Sequence, residues 1–201
     1  MGTDIKTALR PAIALLLLFT LITGLAYPLA ITGVAQLVFP HQANGSLVSD
    51  GNRVVGSELI GQGFASPRYF HSRSSAAGKG YDASASSGSN QGPTSKALAD
   101  SIQQGVAQAR TDGVAGAVPA DMVTASGSGL DPDISPANAF DQAHRIATAR
   151  GIPEEKVRQL VGRSIVPGTL GVLGEPHVNV LALNRQLDRM GAESASGPRQ
   201  Q

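Results

Sequence analysis

The stretch PAIALLLLFTLITGLAYPLAITGVAQLV, from Pro11 to Val38, contains no Asp, Glu, Lys, Arg or His. A helix needs roughly 20 mostly apolar residues to cross a bilayer core of about 30 Å. This run exceeds that length, and no later segment rivals it. It predicts a water-soluble domain carried on one membrane helix. A cleaved signal peptide is the alternative, since Lys6 and Arg10 supply a basic n-region. Signal h-regions are shorter, about 7–15 residues, and end in an A-x-A-like site. Ala26 and Ala30 are small, but no clear site is present, so a retained anchor is expected. After Arg10 the next charged residue is Asp50. The positive-inside rule then puts residues 1–10 in the cytoplasm, the helix at 11–38 and everything beyond it outside.

The anchor carries its own packing signal. Thr20 and Gly24 are four residues apart, as are Ala26 and Ala30. Small residues at that spacing let a second helix approach closely. Pro28 has no N–H to give the Gly24 carbonyl, which predicts a bend there.

Composition narrows the remainder. The chain has 201 residues and a net charge of +1, enough for one domain plus an anchor and unsuited to a nucleic-acid surface. Aromatic residues make up 4 % and Trp is absent, so the core must rest on Val, Leu, Ile and Ala. With 24 Gly and 12 Pro the fold should be loop-rich, and with no Cys it has neither a disulfide framework nor a thiolate metal site.

Residues 39–52 read as a connector, and Arg53–Ile60 as a strand. Gly61–Ser66 is a turn or second short strand. Arg68-Tyr69-Phe70-His71-Ser72-Arg73 is the densest aromatic and polar cluster. Ser74–Gly92, rich in Ser, Ala and Gly, is either a long loop or a coil ordered by side-chain-to-backbone hydrogen bonds. A helix begins near Pro93 with Leu98, Ile102 and Val106 facing a core, and ends at Asp112-Gly113. Pro119–Val123 reads as one helical turn.

Ser135 and Pro136 suit the cap and first position of a helix that stops at Arg150 before Gly151. Another helix opens at Pro153-Glu154-Glu155, with Val157, Leu160 and Val161 inward. His177–Leu183 is a strand candidate. Residues 39–190 form the outer domain and residues 191–201 a polar, disordered tail. The fold class is α+β with a small sheet.

Chemistry is sparse. Gly88–Lys96 has the flavour of a phosphate loop but not the G-x-x-x-x-G-K-[ST] spacing, and Pro93 removes a donor. Ser126-Gly127-Ser128-Gly129 is not a nucleophile elbow. His41, His71, His144 and His177 show no short metal-ligand spacing. His71 and Arg73, with the acids Asp131 and Asp133, are the candidate recognition patch. The competing reading packs the neighbouring aromatics into the core and pairs Arg73 with a carboxylate. Asp131 and Asp133 are also explained by the helix entrance they precede. No catalytic or metal site emerges.

Four stretches together resemble the C-subunit family of bacterial Kdp potassium-transporting ATPases. They are Arg68–Arg73, Gly88–Thr94, Gly129-Leu130-Asp131-Pro132-Asp133-Ile134-Ser135-Pro136 and Gly174-Glu175-Pro176-His177-Val178-Asn179-Val180-Leu181-Ala182-Leu183-Asn184. Their order and the anchor's position match the family. Ser74, Gln91, Ser95 and His177 depart from its usual residues.

The resemblance implies a non-catalytic accessory subunit of an ATP-driven K⁺ uptake complex in the inner membrane. Its partners would be a channel-like subunit, a P-type ATPase subunit and a small fourth subunit. It would assemble and stabilise the complex, acting as a catalytic chaperone that raises ATP affinity. The resemblance implies no firmly bound cofactor. ATP would act through the ATPase subunit, and K⁺ is the ion the complex transports. The alternative from another class is a membrane-anchored extracytoplasmic hydrolase.

Overall fold

The computed structural model describes residues 2–169, 171 and 173–195. Two compact units divide the chain, Met1–Val54 and Val55–Gln201.

The first unit opens with α1 (Gly2–Leu21), a π-helical turn (Ile22–Ala26) and α2 (Tyr27–Val38). The continuous apolar stretch runs from Thr7 to Val38, long and apolar enough to cross a membrane, and its most apolar window buries nothing against protein. The irregularity expected from Pro28 takes the form of the π turn. Tyr27 N–H donates to Ile22 O, five residues back, which closes the ladder beside a residue that cannot donate. Thr23 Oγ1 donates to Phe19 O at 2.6 Å.

The connector is ordered. Phe39 ends the long helix, and α3 (Pro40–Ala43) follows at once. The Gln36 and Asn44 side-chain amides donate to one another at 3.3 and 3.1 Å. β1 (Leu47–Asp50) and β2 (Arg53–Ser57) form a two-stranded sheet. The strand expected over Arg53–Ile60 therefore ends at Ser57, whose hydroxyl accepts from Leu59 N in a local turn.

The second unit is built on helices: α4 (Lys96–Thr111), α5 (Ala120–Val123), α6 (Pro136–Arg150), α7 (Glu154–Ser164) and α8 (Val180–Ala195). α6 starts and stops where its sequence says. Ser135 Oγ accepts from Asn138 N at 3.1 Å, Pro136 takes the first turn, and Gly151 closes the helix at φ +67°. Residues Ala139, Ala143 and Ile146 of α6, Val157 and Val161 of α7, and Val180, Leu183 and Leu187 of α8 make the core, together with Phe70. Leu98, Ile102 and Val106 of α4 are half-buried, and Ala109 is the buried residue of that helix.

β3 (Asp133–Ile134) pairs antiparallel with β4 (Val178–Asn179), Asp133 opposite Asn179 and Ile134 opposite Val178. The strand expected over His177–Leu183 is thus only two residues long. Asn179 Oδ1 accepts from Ala182 N at 3.0 Å and starts α8 instead. The helix continues to Ala195, so residues 191–195 of the expected tail are helical. Residues 196–201 lie outside the described residues.

Residues 58–95 contain no helix or strand. Ser74–Gly92 is the coil ordered by hydrogen bonds. Ser87 N donates to Ser128 O at 3.0 Å, Ser86 Oγ to the same carbonyl at 2.9 Å, and Ser126 N to Ser74 O at 3.3 Å. Gly129 is required at this crossing. Its φ is +68°, and a Cβ there would lie 2.6 Å from Ser87 O.

Candidate functional site

The Arg68–Arg73 segment leaves a turn, in which Tyr69 N donates to Ser66 O at 3.2 Å, and runs on as a strap without regular structure whose backbone is held by side chains from distant helices. Asn184 of α8 accepts from Phe70 N at 2.8 Å and donates to Phe70 O at 3.0 Å. Gln142 of α6 does the same for the next residue, accepting from His71 N at 2.8 Å and donating to His71 O at 3.1 Å. Each amide supplies the pair of bonds that a neighbouring strand would give. Arg145 donates to Pro67 O and Tyr69 O, and Arg150 to Arg68 O. Arg150 also stacks over the Tyr69 ring at 4.9 Å and pairs with Asp188 at 2.8 Å.

This arrangement sorts the aromatics. Phe70 is fully buried, and Tyr69 donates its hydroxyl to Asp188. Phe70 therefore follows the packing reading of the cluster. So does Arg73, whose Nη1 meets Asp131 Oδ2 at 3.1 Å and whose Nη2 donates to Ala125 O at 3.2 Å. Arg73 Nε is buried without a partner.

The structure divides the four candidate patch residues between two hollows. Arg73, Asp131 and Asp133 line a cleft of about 370 Å³ together with Asp121, Glu175 and His177. His71 lines a different cavity. Within the cleft, Asp131 Oδ1 accepts from Asp133 N, and Asp133 Oδ1 accepts from Asn179 Nδ2, each at 3.1 Å. Burial pushes the Asp133 carboxyl above its ordinary value, opposed by the Asn179 bond and by His177, 3.9 Å away. Asp121 secures the start of α6. It accepts from Ser135 N at 2.7 Å, Ser135 Oγ at 3.0 Å and Asn138 Nδ2 at 3.1 Å.

His71, His144 and His177 each bond to a carbonyl or a carboxylate, and none to a serine hydroxyl. Among the described residues no group of three or more His, Asp or Glu could hold a metal ion. Lys96 pairs with Asp100 at 2.6 Å, and Ser95 caps α4 by accepting from Leu98 N. The Gly88–Lys96 stretch is thus a helix entrance.

Sequence reasoning missed Gln142, Arg145 and Asn184, which hold the strap, and Asn138, which accepts from Gln142 Nε2 at 2.8 Å. A signal was present in α6. Asn138 and Gln142 repeat at i, i+4 on the same side as the apolar Ala139, Ala143 and Ile146, so two amides enter the core face.

The family described as KdpC, "K+-transporting ATPase, c chain", matches residues 9–189. The chain belongs to this family. Its curated relatives include the potassium-transporting ATPase KdpC subunit of Caulobacter vibrioides (strain NA1000 / CB15N), 60 % identical over 181 residues, 90 % of this chain and 92 % of that one. The KdpC subunit of Rhodopseudomonas palustris (strain ATCC BAA-98 / CGA009) is 56 % identical over 191 residues, 89 % of this chain and 95 % of the relative. That of Gemmatimonas aurantiaca (strain DSM 14586 / JCM 11422 / NBRC 100505 / T-27) is 58 % identical over 190 residues, covering 94 % and 96 %. KdpC is the non-catalytic C chain of the Kdp potassium-transporting ATPase, so the other Kdp subunits are this chain's partners. The strap and the cleft are to be read as parts of a subunit in that complex.

Proposed function

We propose that this chain is an assembly and stabilising subunit that works from outside the membrane. In this reading the Thr7–Val38 helix spans the bilayer with its N-terminus in the cytoplasm. The observation that carries it is the pairing of a long, wholly unburied apolar helix with one-sided charge: Lys6 and Arg10 precede the span and no charged residue follows until Asp50. Apolar faces left uncovered need lipid or another helix. Thr20, Gly24, Ala26 and Ala30 supply small-residue positions at which the channel-like subunit's helices would pack. A substituent at Gly24 would lie 3.9 Å from Thr20 Cγ2, so these two positions share one face.

With the domain outside, cytoplasmic ATP is out of reach. An effect on the ATP affinity of the P-type subunit then passes through the membrane subunits. It requires that this chain make different contacts in two states of the transporter.

Topology tests the reading. The chain has no Cys, so single cysteines at the exposed Ala83 and Ala115 report their own side of the membrane. In cells with a permeabilised outer membrane, an impermeant thiol reagent should label both. Labelling only after inner-membrane lysis would reverse the orientation and make direct contact with ATP the mechanism.

A further inference from the structure

The cavity that His71 lines has a volume of about 500 Å³. Small-molecule sites commonly measure about 300–1,000 Å³. Phe64, Tyr81 and Met122 supply apolar wall, while Gln108 and Asp112 come from the end of α4. Tyr81 has φ +56°, a strained conformation for a bulky residue. The coil holds it there: Tyr81 N donates to Ser75 Oγ and Tyr81 Oη to Arg73 O, both at 2.8 Å. Gly63 clears space for the ring, since a Cβ would lie 3.1 Å from Tyr81 Cδ2. The fold thus strains its backbone to set an aromatic ring in this wall.

The donors around the cavity are mostly taken. Arg145 gives Nη1 to Pro67 O at 2.6 Å and Nη2 to Tyr69 O at 3.1 Å and Gln142 Oε1 at 2.7 Å. Its Nε lies 3.7 Å from Asp112 Oδ2. Four of its five N–H groups therefore face protein oxygens. Gln142 Nε2 serves His71 O and Asn138 Oδ1, Gln108 Nε2 serves Asp112 Oδ1, and the Tyr81 hydroxyl has given its proton to Arg73 O.

Acceptors remain. His71 Nε2 lies 3.1 Å from Ser66 O, and a carbonyl only accepts, so that nitrogen carries the proton. Burial, and then the nearby Arg145 charge, lower the ring's pKa and keep it neutral, which leaves Nδ1 a lone pair. Gln108 Oε1 is unused. Asp112 accepts from Gln108 and faces Arg145, which leaves part of its acceptor capacity open. An anion entering here finds few free donors. A cation with N–H groups finds three acceptors and two aromatic rings, and Asp112 offsets the Arg145 charge.

We propose that this cavity binds a primary ammonium group on a small apolar body, held by Asp112, Gln108 and His71 Nδ1 against Phe64 and Tyr81. The ammonium comes either from a free amine or from a lysine side chain of a neighbouring subunit.

The test titrates benzylamine, protonated at about pH 7.5, and benzoate as the anion of the same shape. Both go into the full chain in lipid nanodiscs and into the assembled complex, followed by calorimetry and saturation-transfer NMR. Benzylamine should bind the isolated chain and benzoate should bind about tenfold more weakly or not at all. Asp112→Asn should weaken benzylamine about tenfold. If that variant does not fold, the exposed Gln108→Leu should weaken it about threefold. Binding retained in the complex assigns the site to a free amine, and binding lost only there assigns it to a subunit's lysine. The proposal fails if benzoate binds as well as benzylamine, if neither binds the isolated chain, or if the folded variants bind like the parent.

Discussion

Two parts of the second unit keep their shape by opposite means. Helices α6, α7 and α8 are held by apolar side chains from which water is gone: Ile146, Val157, Val161 and Leu183 are fully buried. The coil over residues 58–95 has no ladder of its own, and Phe70 and Ala77 are its buried apolar residues. Its backbone is satisfied by side chains reaching in from elsewhere and by the backbone of the Ser126–Leu130 segment. The two systems meet at adjacent residues of α8. Leu183 faces the apolar core, and Asn184, 2 % exposed, holds the strap. A chain this poor in aromatics and regular strands orders a long coil by paying in amides and serines.

The comparison is most sharply broken at Leu183. Leu183→Ala removes buried methyl groups from the junction of α8 with the core and should cost about 2–5 kcal/mol of global stability. Chemical denaturation followed by far-UV circular dichroism would read it. A loss below about 1 kcal/mol would show that the three helices do not depend on this packing.

Asn184→Ala should cost less in total, about 1–3 kcal/mol, because the strap can lift into water once its buried Phe70 N–H and C=O lose their partners. Its signature is local. Hydrogen exchange at the Phe70 and His71 amides should speed strongly while the core amides of α6 and α7 stay protected. Equal loss of protection in both regions would mean that strap and core form one cooperative unit.

This division also marks what could be read from residues alone. Hydropathy is a local signal, so the apolar helix expected at 11–38 was legible and falls within the helical stretch Thr7–Val38, and caps are local, so α6 emerged with Ser135, Pro136 and Gly151 in place. The strap was not legible, because its partners Gln142 and Asn184 are 71 and 114 residues distant. Helical spacing places both amides on apolar faces, but nothing local to either says which backbone it binds. The His177–Leu183 segment misled for another reason. Val178 and Val180 alternate like a strand, yet the buried set Val180, Leu183, Asn184 and Leu187 has helical spacing, and the capping Asn179 was the deciding residue. The candidate patch was half legible: helix-entry geometry brings Asp131 and Asp133 to Arg73, but two residues of strap carry His71 to the other cavity.

The smallest effect should be one of pH, and it separates the two systems by their chemistry. An apolar core is indifferent to protons, whereas a strap held by polar groups is not. His71 has its backbone clamped by Gln142 and its ring against Ser66 O, and burial and then Arg145 lower its pKa, with Ser66 and Asp112 opposing. The unfolded ring therefore takes up a proton first as pH falls through its ordinary value of 6.5. Stability that His71 contributes above that value is lost between there and its lowered native pKa, and nothing further is lost below. Melting temperatures of the parent and His71→Gln, measured at about pH 7.5 and about pH 5.5, should show a steeper fall in the parent. The glutamine variant keeps the backbone N–H and C=O that Gln142 binds, so the strap stays clamped while the titrating ring is gone. Parallel melting curves would place the ring's proton outside the energetics of the strap and leave hydrogen bonding to backbone as its whole support.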